Sequence, residues 1–320
     1  MKRYGNLYEK IYDMDNIRLA HKNARRGKRH YAEVKKVDEN PEYYFKRIHE
    51  MLKNKTFENS KYHVFKKTFN KKEREIFKLP YFPDRIVHHC IMQILEPIWK
   101  TVLIRDTYSS LKGRGVHDGL RRVRKAMKNP ISTLYCLKFD VKKFYPSIPH
   151  DILKTIIEKK IKCRDTLQLL YKIIDSASGV PIGNYLSQYL GNLYLTYFDH
   201  WMKEVKRCRF YFRYCDDIVV LSRSKVFLHD LAFRSFLYLK NVLNLNVKHN
   251  WQVFLTEARG IDFLGYRIFH KFCLLRQSIA LSFKRKMKSS VNINSIMSYL
   301  GWLQHANTRT LIYKYATGGI

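Results

Sequence analysis

The chain has 320 residues, with 61 Lys and Arg against 27 Asp and Glu, giving a net charge of +34 with His neutral. Hydrophobic residues make up 46% and aromatics 14%, which excludes a disordered basic tail and leaves enough apolar surface for a sizeable core. Such a charge calls for an anionic partner, either nucleic acid or an acidic membrane surface. Length suggests roughly two or three structural units. No run reaches about 18 uninterrupted apolar residues, and the start lacks the apolar region of a signal peptide. The expectation is a cytoplasmic protein that binds nucleic acid and does not enter a membrane. The six cysteines form no CxxC pair and no zinc spacing, so they read as reduced, mostly buried thiols.

Residues 1–60 read as helical and basic, with a dense cationic run from His21 to Lys36. Residues 62–69 and 74–82 alternate enough to be two strands of a basic hairpin. From Asp84 to Trp99, apolar residues at Ile86, Val87, Cys90, Ile91, Ile94 and Leu95 have helical spacing. His88 and His89 on that helix are read as packed or ordinarily hydrogen-bonded.

The segment Thr133–Ile148 begins as a buried strand. Leu137, Phe139 and Val141 fall on one face by period two, so Asp140 points to the other. Pro146 is expected to end this strand, and a helix should start near His150 or Asp151. A loop punctuated by Gly179, Pro181 and Gly183 leads into Ser187–Val205, whose apolar residues predict one long helix. Arg209–Arg223 reads as two short strands with a turn near Cys215, Asp216 and Asp217, because adjacent carboxylates sit poorly inside a strand. Gly260–Phe269 is a further strand or hairpin, and the tail from Ser278 is basic and helical.

Three carboxylates stand out: Asp140, Asp216 and Asp217. Acids at strand ends among hydrophobic residues are costly unless a cation neutralises them. Lys or Arg could serve; a divalent metal is the sharper option. Mg²⁺ prefers one or two carboxylates plus substrate phosphate oxygens. Two such ions could activate a primer hydroxyl and stabilise leaving pyrophosphate. Tyr214-x-Asp216-Asp217 alone is a weak signal, since it also suits a polar hairpin tip. Its order after Asp140 and the Gly-rich loop-helix is far more specific.

In that order the sequence resembles reverse transcriptases of the prokaryotic, group II intron-like kind, over nearly the whole chain from about Lys61 to Ala316. FKLPYFPDRIVHHC and YSSLKGRGVHDGL look like the two fingers motifs, LKFDVKKFYPSI and YCDDIVVLSRS like the palm motifs, and GVPIGNYLSQYLGN like the loop-helix under the incoming nucleotide. FLGYRI resembles the primer grip, and SYLGWLQHAN a short thumb. The resemblance implies an α+β right-hand polymerase. Its parts would be a basic helical extension (1–60), fingers (61–132), palm (133–270) and a short helical thumb (271–320).

The same resemblance implies that Asp140 and Asp216 ligate two Mg²⁺ ions, with Mn²⁺ as a substitute and Asp217 in support. Tyr145 would be the steric gate against a 2′-hydroxyl. Arg74, with Lys66 or Lys67, would clamp the triphosphate, and a guanidinium fork suits phosphate oxygens. Lys248 is a weaker candidate for assisting pyrophosphate departure. The implied partners are deoxynucleotides, an RNA–DNA hybrid and a template RNA.

One departure points to a subfamily. Most reverse transcriptases carry Gln-Gly-x-x-x-Ser-Pro in the loop-helix; here Ile182-Gly183 is followed by Ser187-Gln188. This version resembles the reverse transcriptases of diversity-generating retroelements, prokaryotic or phage-encoded, which miscopy template adenines. They work with a structured RNA and a small basic, oligomeric accessory protein. Ile182 removes a polar handle near the nascent pair. Two rivals stand beside this reading. One is an antiphage-defence reverse transcriptase, which often has a longer helical C-terminal extension. The other is a non-catalytic RNA-binding scaffold, which would normally lose metal carboxylates. No room is expected for an RNase H domain.

Overall fold

The structure is a computed structural model and describes residues 2–69, 72–289 and 293–316. Local chemistry starts the N-terminal helices. The Asp13 carboxylate accepts the N–H groups of Asp15 and Asn16 and caps the helix Met14–Ala24. Pro41 opens the helix Pro41–Lys53, where its missing N–H costs nothing. The short helices Tyr8–Tyr12 and Ala32–Glu39 complete the set. Their apolar stripes, including Ile17, Ala20, Phe45, Ile48 and Leu52, are buried: Tyr8–Tyr12 and Met14–Ala24 pack on the helix Ile86–Lys100, and Pro41–Lys53 packs on those two. Buried His21 ties the cluster together: its ring bonds to Asp38 at 2.8 Å and to the Tyr81 hydroxyl at 2.9 Å.

These elements belong to one of two compact units, made of residues 1–104, 142–199 and 240–245. The same unit holds the antiparallel hairpin of β1 (His63–Phe69) and β2 (Lys72–Lys78), whose connection at 70–71 lies outside the described residues. It also holds the helices His150–Glu158, Arg164–Ile174 and Tyr185–Tyr194.

The second unit comprises residues 105–141, 200–239 and 246–320. Its main sheet contains β3 (Thr107–Tyr108), β4 (Tyr135–Asp140), β5 (Phe210–Tyr214), β6 (Asp217–Ser222) and β7 (Gln252–Leu255). The spatial order is β3-β5-β6-β4-β7, antiparallel except for β3 with β5. A smaller antiparallel sheet has β9 (Tyr266–Ile268) between β8 (Ile261–Phe263) and β10 (Cys273–Leu275). One core joins them, built on Val123, Met127, Phe212, Val219, Phe263 and Tyr266. Among the described residues, no helix is long and apolar enough to cross a membrane.

Three sequence expectations change. The second hairpin strand, expected over 74–82, is Lys72–Lys78, and Tyr81–Arg85 is a helical turn leading into Ile86–Lys100. The strand carrying Asp140 ends at Asp140, before Pro146; Lys143 turns the chain at φ 47°, and Pro146 falls in the 3-10 turn Tyr145–Ser147. The long helix expected over 187–205 is three segments: Tyr185–Tyr194, Thr196–His200 and the wider turn Trp201–Val205. Beside the first break, the Thr196 hydroxyl donates to the Val102 carbonyl, a tertiary bond that helical periodicity does not reveal.

Gly183 is required where the loop meets β2. It sits at φ +124°, and a Cβ there would lie 2.5 Å from the Phe77 carbonyl oxygen. The adjacent Ile182 carbonyl accepts the Phe77 N–H at 2.8 Å. Gly183→Ala should therefore lose about 1–3 kcal/mol of stability in urea unfolding. Unchanged stability would show that the loop does not rest on β2.

Candidate active site

The site begins as a register. In the β4–β6 ladder, Asp140 lies directly opposite Asp217. Asp216 occupies the turn between β5 and β6, and Cys215 before it takes the left-handed conformation at φ 57°. Fully buried Arg213 holds that turn, donating to the Cys215 carbonyl at 2.9 Å. Three carboxyls thus converge at one end of two central strands, and those of Asp140 and Asp216 are within hydrogen-bonding reach of each other.

Two lysines offset this negative charge. Lys248 donates to the Asp140 carboxylate through its ammonium, and its backbone N–H bonds the Asp140 carbonyl at 2.9 Å. Lys138 forms an ion pair with Asp217 at 3.4 Å and also donates to the Asp262 carbonyl. Arg276 binds the Asp262 carboxylate at 2.6 Å.

The balance is incomplete. Oδ1 of Asp140 and Oδ1 of Asp217 are buried without a hydrogen-bond partner. Burial, then the neighbouring Asp140 carboxyl, push the Asp216 carboxyl up to about 7. Burial pushes Asp217 up to about 6, against the pull of Lys138. Acids held in this way gain from one more cation. Among the described residues, no group of three or more His, Cys, Asp or Glu forms a closed metal cage. Mg²⁺ does not need one, because it keeps water and takes substrate phosphate oxygens beside one or two carboxylates. Asp140 and Asp216 fit such an ion; Asp217 is turned to Lys138.

The remaining sequence candidates lie in the first unit. Tyr145 is half-buried in its 3-10 turn, and its carbonyl accepts the N–H of Val180 at 2.9 Å. Gly191 lets the helix Tyr185–Tyr194 pass close to the Tyr145 ring, since a Cβ there would meet Cε1 at 2.8 Å. Ile182 is half-buried and held to β2 through its carbonyl, while Gln188 is exposed on the following helix. The loop carrying Ile182 and Gly183 is therefore fixed at both ends, to the Tyr145 turn and to β2. On the hairpin, Arg74 stands opposite Lys67, and Lys66 pairs with Glu73 at 3.2 Å.

Buried His88 and His89 follow the packing expectation, and His89 stacks on Tyr185 with centroids 4.0 Å apart. Lys138 and Arg213 escaped the sequence reading. Lys138 carried a usable signal, because it lies two residues before Asp140 and so shares its strand face. Arg213 gave none, being one Arg among many.

The sequence profile described as "Reverse transcriptase (RNA-dependent DNA polymerase)" matches residues 64–268. The chain belongs to the reverse transcriptase family. Among curated proteins it is 25% identical over 139 residues to Protein YkfC of Escherichia coli, covering 39% of this chain and 36% of that protein. It is 26% identical over 148 residues to Group II intron-encoded protein LtrA of Lactococcus lactis, covering 43% and 24% respectively. It is 29% identical over 91 residues to Nuclear intron maturase 1, mitochondrial, of Arabidopsis thaliana, covering 28% and 12%. The chain thus spans about a third or less of the length of these relatives.

Among solved structures, it is similar to telomerase from Candida albicans in complex with a fragment of telomeric RNA. The TM-score is 0.54 at 11% identity, covering 83% of this chain and 58% of that one. Apo telomerase from Candida tropicalis gives 0.51 at 15%, covering 67% and 48%. At this identity the likeness concerns the fold alone, which is the mixed helix-and-sheet right-hand polymerase fold. The reverse transcriptase is homologous to group II intron-encoded proteins over the matched region, and divalent-metal dependence is general in its family.

Raised native acids make a pH test. The unfolded chain releases these protons near pH 4, so without divalent cations the native state loses stability as pH rises from about 4 toward 7. Between about pH 5 and about pH 7.5, the melting midpoint of Asp216→Asn should fall less than that of the unmodified chain, by at least about 2 °C. Added Mg²⁺ should close the gap for the unmodified chain only. Equal pH slopes would show that Asp216 does not bear this cost.

Proposed function

We propose that this chain is an RNA-directed DNA polymerase, the error-prone reverse transcriptase of a diversity-generating retroelement. The observation that carries the polymerase reading is the convergence of Asp140, at the end of β4 and opposite Asp217, with Asp216 in the β5–β6 turn, beside buried carboxylate oxygens without a hydrogen-bond partner. In this reading the parts are an N-terminal extension (1–60), fingers (61–132), palm (133–270) and thumb (271–320).

The reaction joins a primer 3′-hydroxyl to the α-phosphorus of a deoxynucleotide and releases pyrophosphate. Asp140 and Asp216 would hold two Mg²⁺ ions, with Mn²⁺ as a substitute; bound there, the ions would supply positive charge to the attacking and leaving oxygens. Asp217, paired with Lys138, keeps the end of β6 in register without competing for the same position. Lys248 balances Asp140 and supplies a proton to the departing pyrophosphate; its direct contact with Asp140 supports that placement. Arg74, with Lys66 and Lys67, binds the triphosphate, a role supported by their place together on the hairpin and by the fork of the Arg74 guanidinium. Tyr145 excludes the 2′-hydroxyl, and its half-buried ring, backed by Gly191, suits a fixed gate.

The retroelement assignment is supported by Ile182-Gly183 with Ser187-Gln188. An apolar side chain at 182 offers no hydrogen bond to the nascent pair. Losing about 1–2 kcal/mol of discrimination raises errors about 5–30-fold. The partners in this reading are a structured template RNA and a small basic, oligomeric accessory protein, in the cytoplasm. The +34 charge suits the RNA.

Asp216→Ala with Asp217→Ala should lower Mg²⁺-dependent extension of a DNA primer on RNA at least about a thousandfold. Full residual incorporation would remove the polymerase assignment. Ile182→Gln should reduce misincorporation at template adenines about 5–30-fold, read by sequencing the cDNA. Unchanged adenine errors would take Ile182 out of the fidelity argument.

A further inference from the structure

The helix Val116–Met127 carries more cationic charge than its fold needs. Leu120, Val123 and Met127 bury one face in the core of the second unit. Outside that face, Arg121, Arg124, Lys125 and, just past the end, Lys128 recur at intervals of three and four and are all exposed. An ordinary solvated helix interleaves acids at this spacing, because like charges three or four residues apart repel. Here Asp118 pairs with Arg121 and Arg105, and no ion pair reaches Arg124, Lys125 or Lys128 among the described residues.

The stripe lines an open cavity of about 470 Å³ whose facing wall is the β9–β10 connection. That wall is pre-formed. The His270 ring bonds to the Thr133 hydroxyl at 3.0 Å and to Glu257 at 2.8 Å. Glu257 is thereby engaged and lies outside the cavity lining. The Phe269 N–H reaches the Phe272 carbonyl at 2.9 Å, and the two rings stack at 4.4 Å. Phe272 stays 39% exposed, and Lys271 beside it adds another cation without an ion pair.

We propose that this cavity binds an unpaired segment of nucleic acid, separately from the primer–template hybrid. The proposal rests on reading the chain as a nucleic-acid polymerase. The stripe from Arg121 to Lys128 is ~10 Å long, the axial reach of about three phosphates of one strand. Arg124, Lys125 and Lys128 meet the phosphates. The exposed face of Phe272 stacks a base, which an unpaired strand offers and a duplex hides.

The test uses the full chain with its hybrid site filled by a short unlabelled RNA–DNA primer–template. The probe is a fluorescent oligouridylate of about twelve nucleotides, followed by anisotropy at several salt concentrations. The triple variant Arg124→Gln, Lys125→Gln, Lys128→Gln should weaken binding at least about tenfold and reduce the salt slope by about 2. Phe272→Ala should weaken it about fivefold at an unchanged slope. A control removing three exposed cations elsewhere, Arg223→Gln, Lys225→Gln, Lys240→Gln, should leave affinity within about twofold of the unmodified chain. Equal losses in the control, no loss in the triple variant, or equal competition by duplex RNA would overturn the site. Extension of the short hybrid is scored in parallel on the unmodified chain. Its failure with probe binding intact would remove the polymerase reading and leave the site standing.

Discussion

Everything at the candidate active site depends on the cost of burying carboxylates at the ends of paired strands. The β4–β6 register sets Asp140 against Asp217, and the left-handed Cys215 places Asp216 beside them. No arrangement of neutral side chains would tolerate three acids there. Lys248 and Lys138 satisfy part of the charge, and two buried carboxylate oxygens stay unpartnered. Three carboxyls face two lysines, so the site is held short of electrostatic balance, with a shortfall of the sign that a further cation corrects. Fold stability and affinity for cations are coupled through the same atoms.

The cationic excess has a comparable logic at larger scale. Many of the basic residues sit in local pairs, such as Arg122 with Asp106 or Lys172 with Glu58, and add little beyond local order. Others are placed where repulsion works against the fold, as in the stripe Arg124–Lys125–Lys128. Arrangements of that kind make physical sense when phosphate supplies the missing negative charge. They divide the charge into local contributions, each with its own anion, instead of one diffuse field.

Much of the fold was legible in the sequence because its elements announce themselves locally. The alternation in 137–141 marks β4, the doubled acid marks the β5–β6 turn, and the apolar spacing from Ile86 marks a buried helix. What was not legible came from tertiary bonds. The break near Thr196 coincides with a hydroxyl bonded to Val102, far away in sequence. The strand at Asp140 ends before the proline because Lys143 has already turned the chain. Arg213, which holds the Cys215 turn, was overlooked because one arginine in so basic a chain carries no distinguishing signal.

The sequence by itself determined the family, the order of the motifs and the identities of the three acids. Those follow from residue type and spacing, which survive without knowledge of contacts. The tertiary structure alone decided how the acids are balanced: Lys248 on Asp140, Lys138 on Asp217, and an oxygen left bare on each. It also decided that the Ile182–Gly183 loop is fixed between the Tyr145 turn and β2, and that a cationic stripe faces a stacked pair of phenylalanines. The physical reason is the same in each case. Desolvation and charge pairing depend on which groups meet in space, and residues far apart in the chain meet only when it folds.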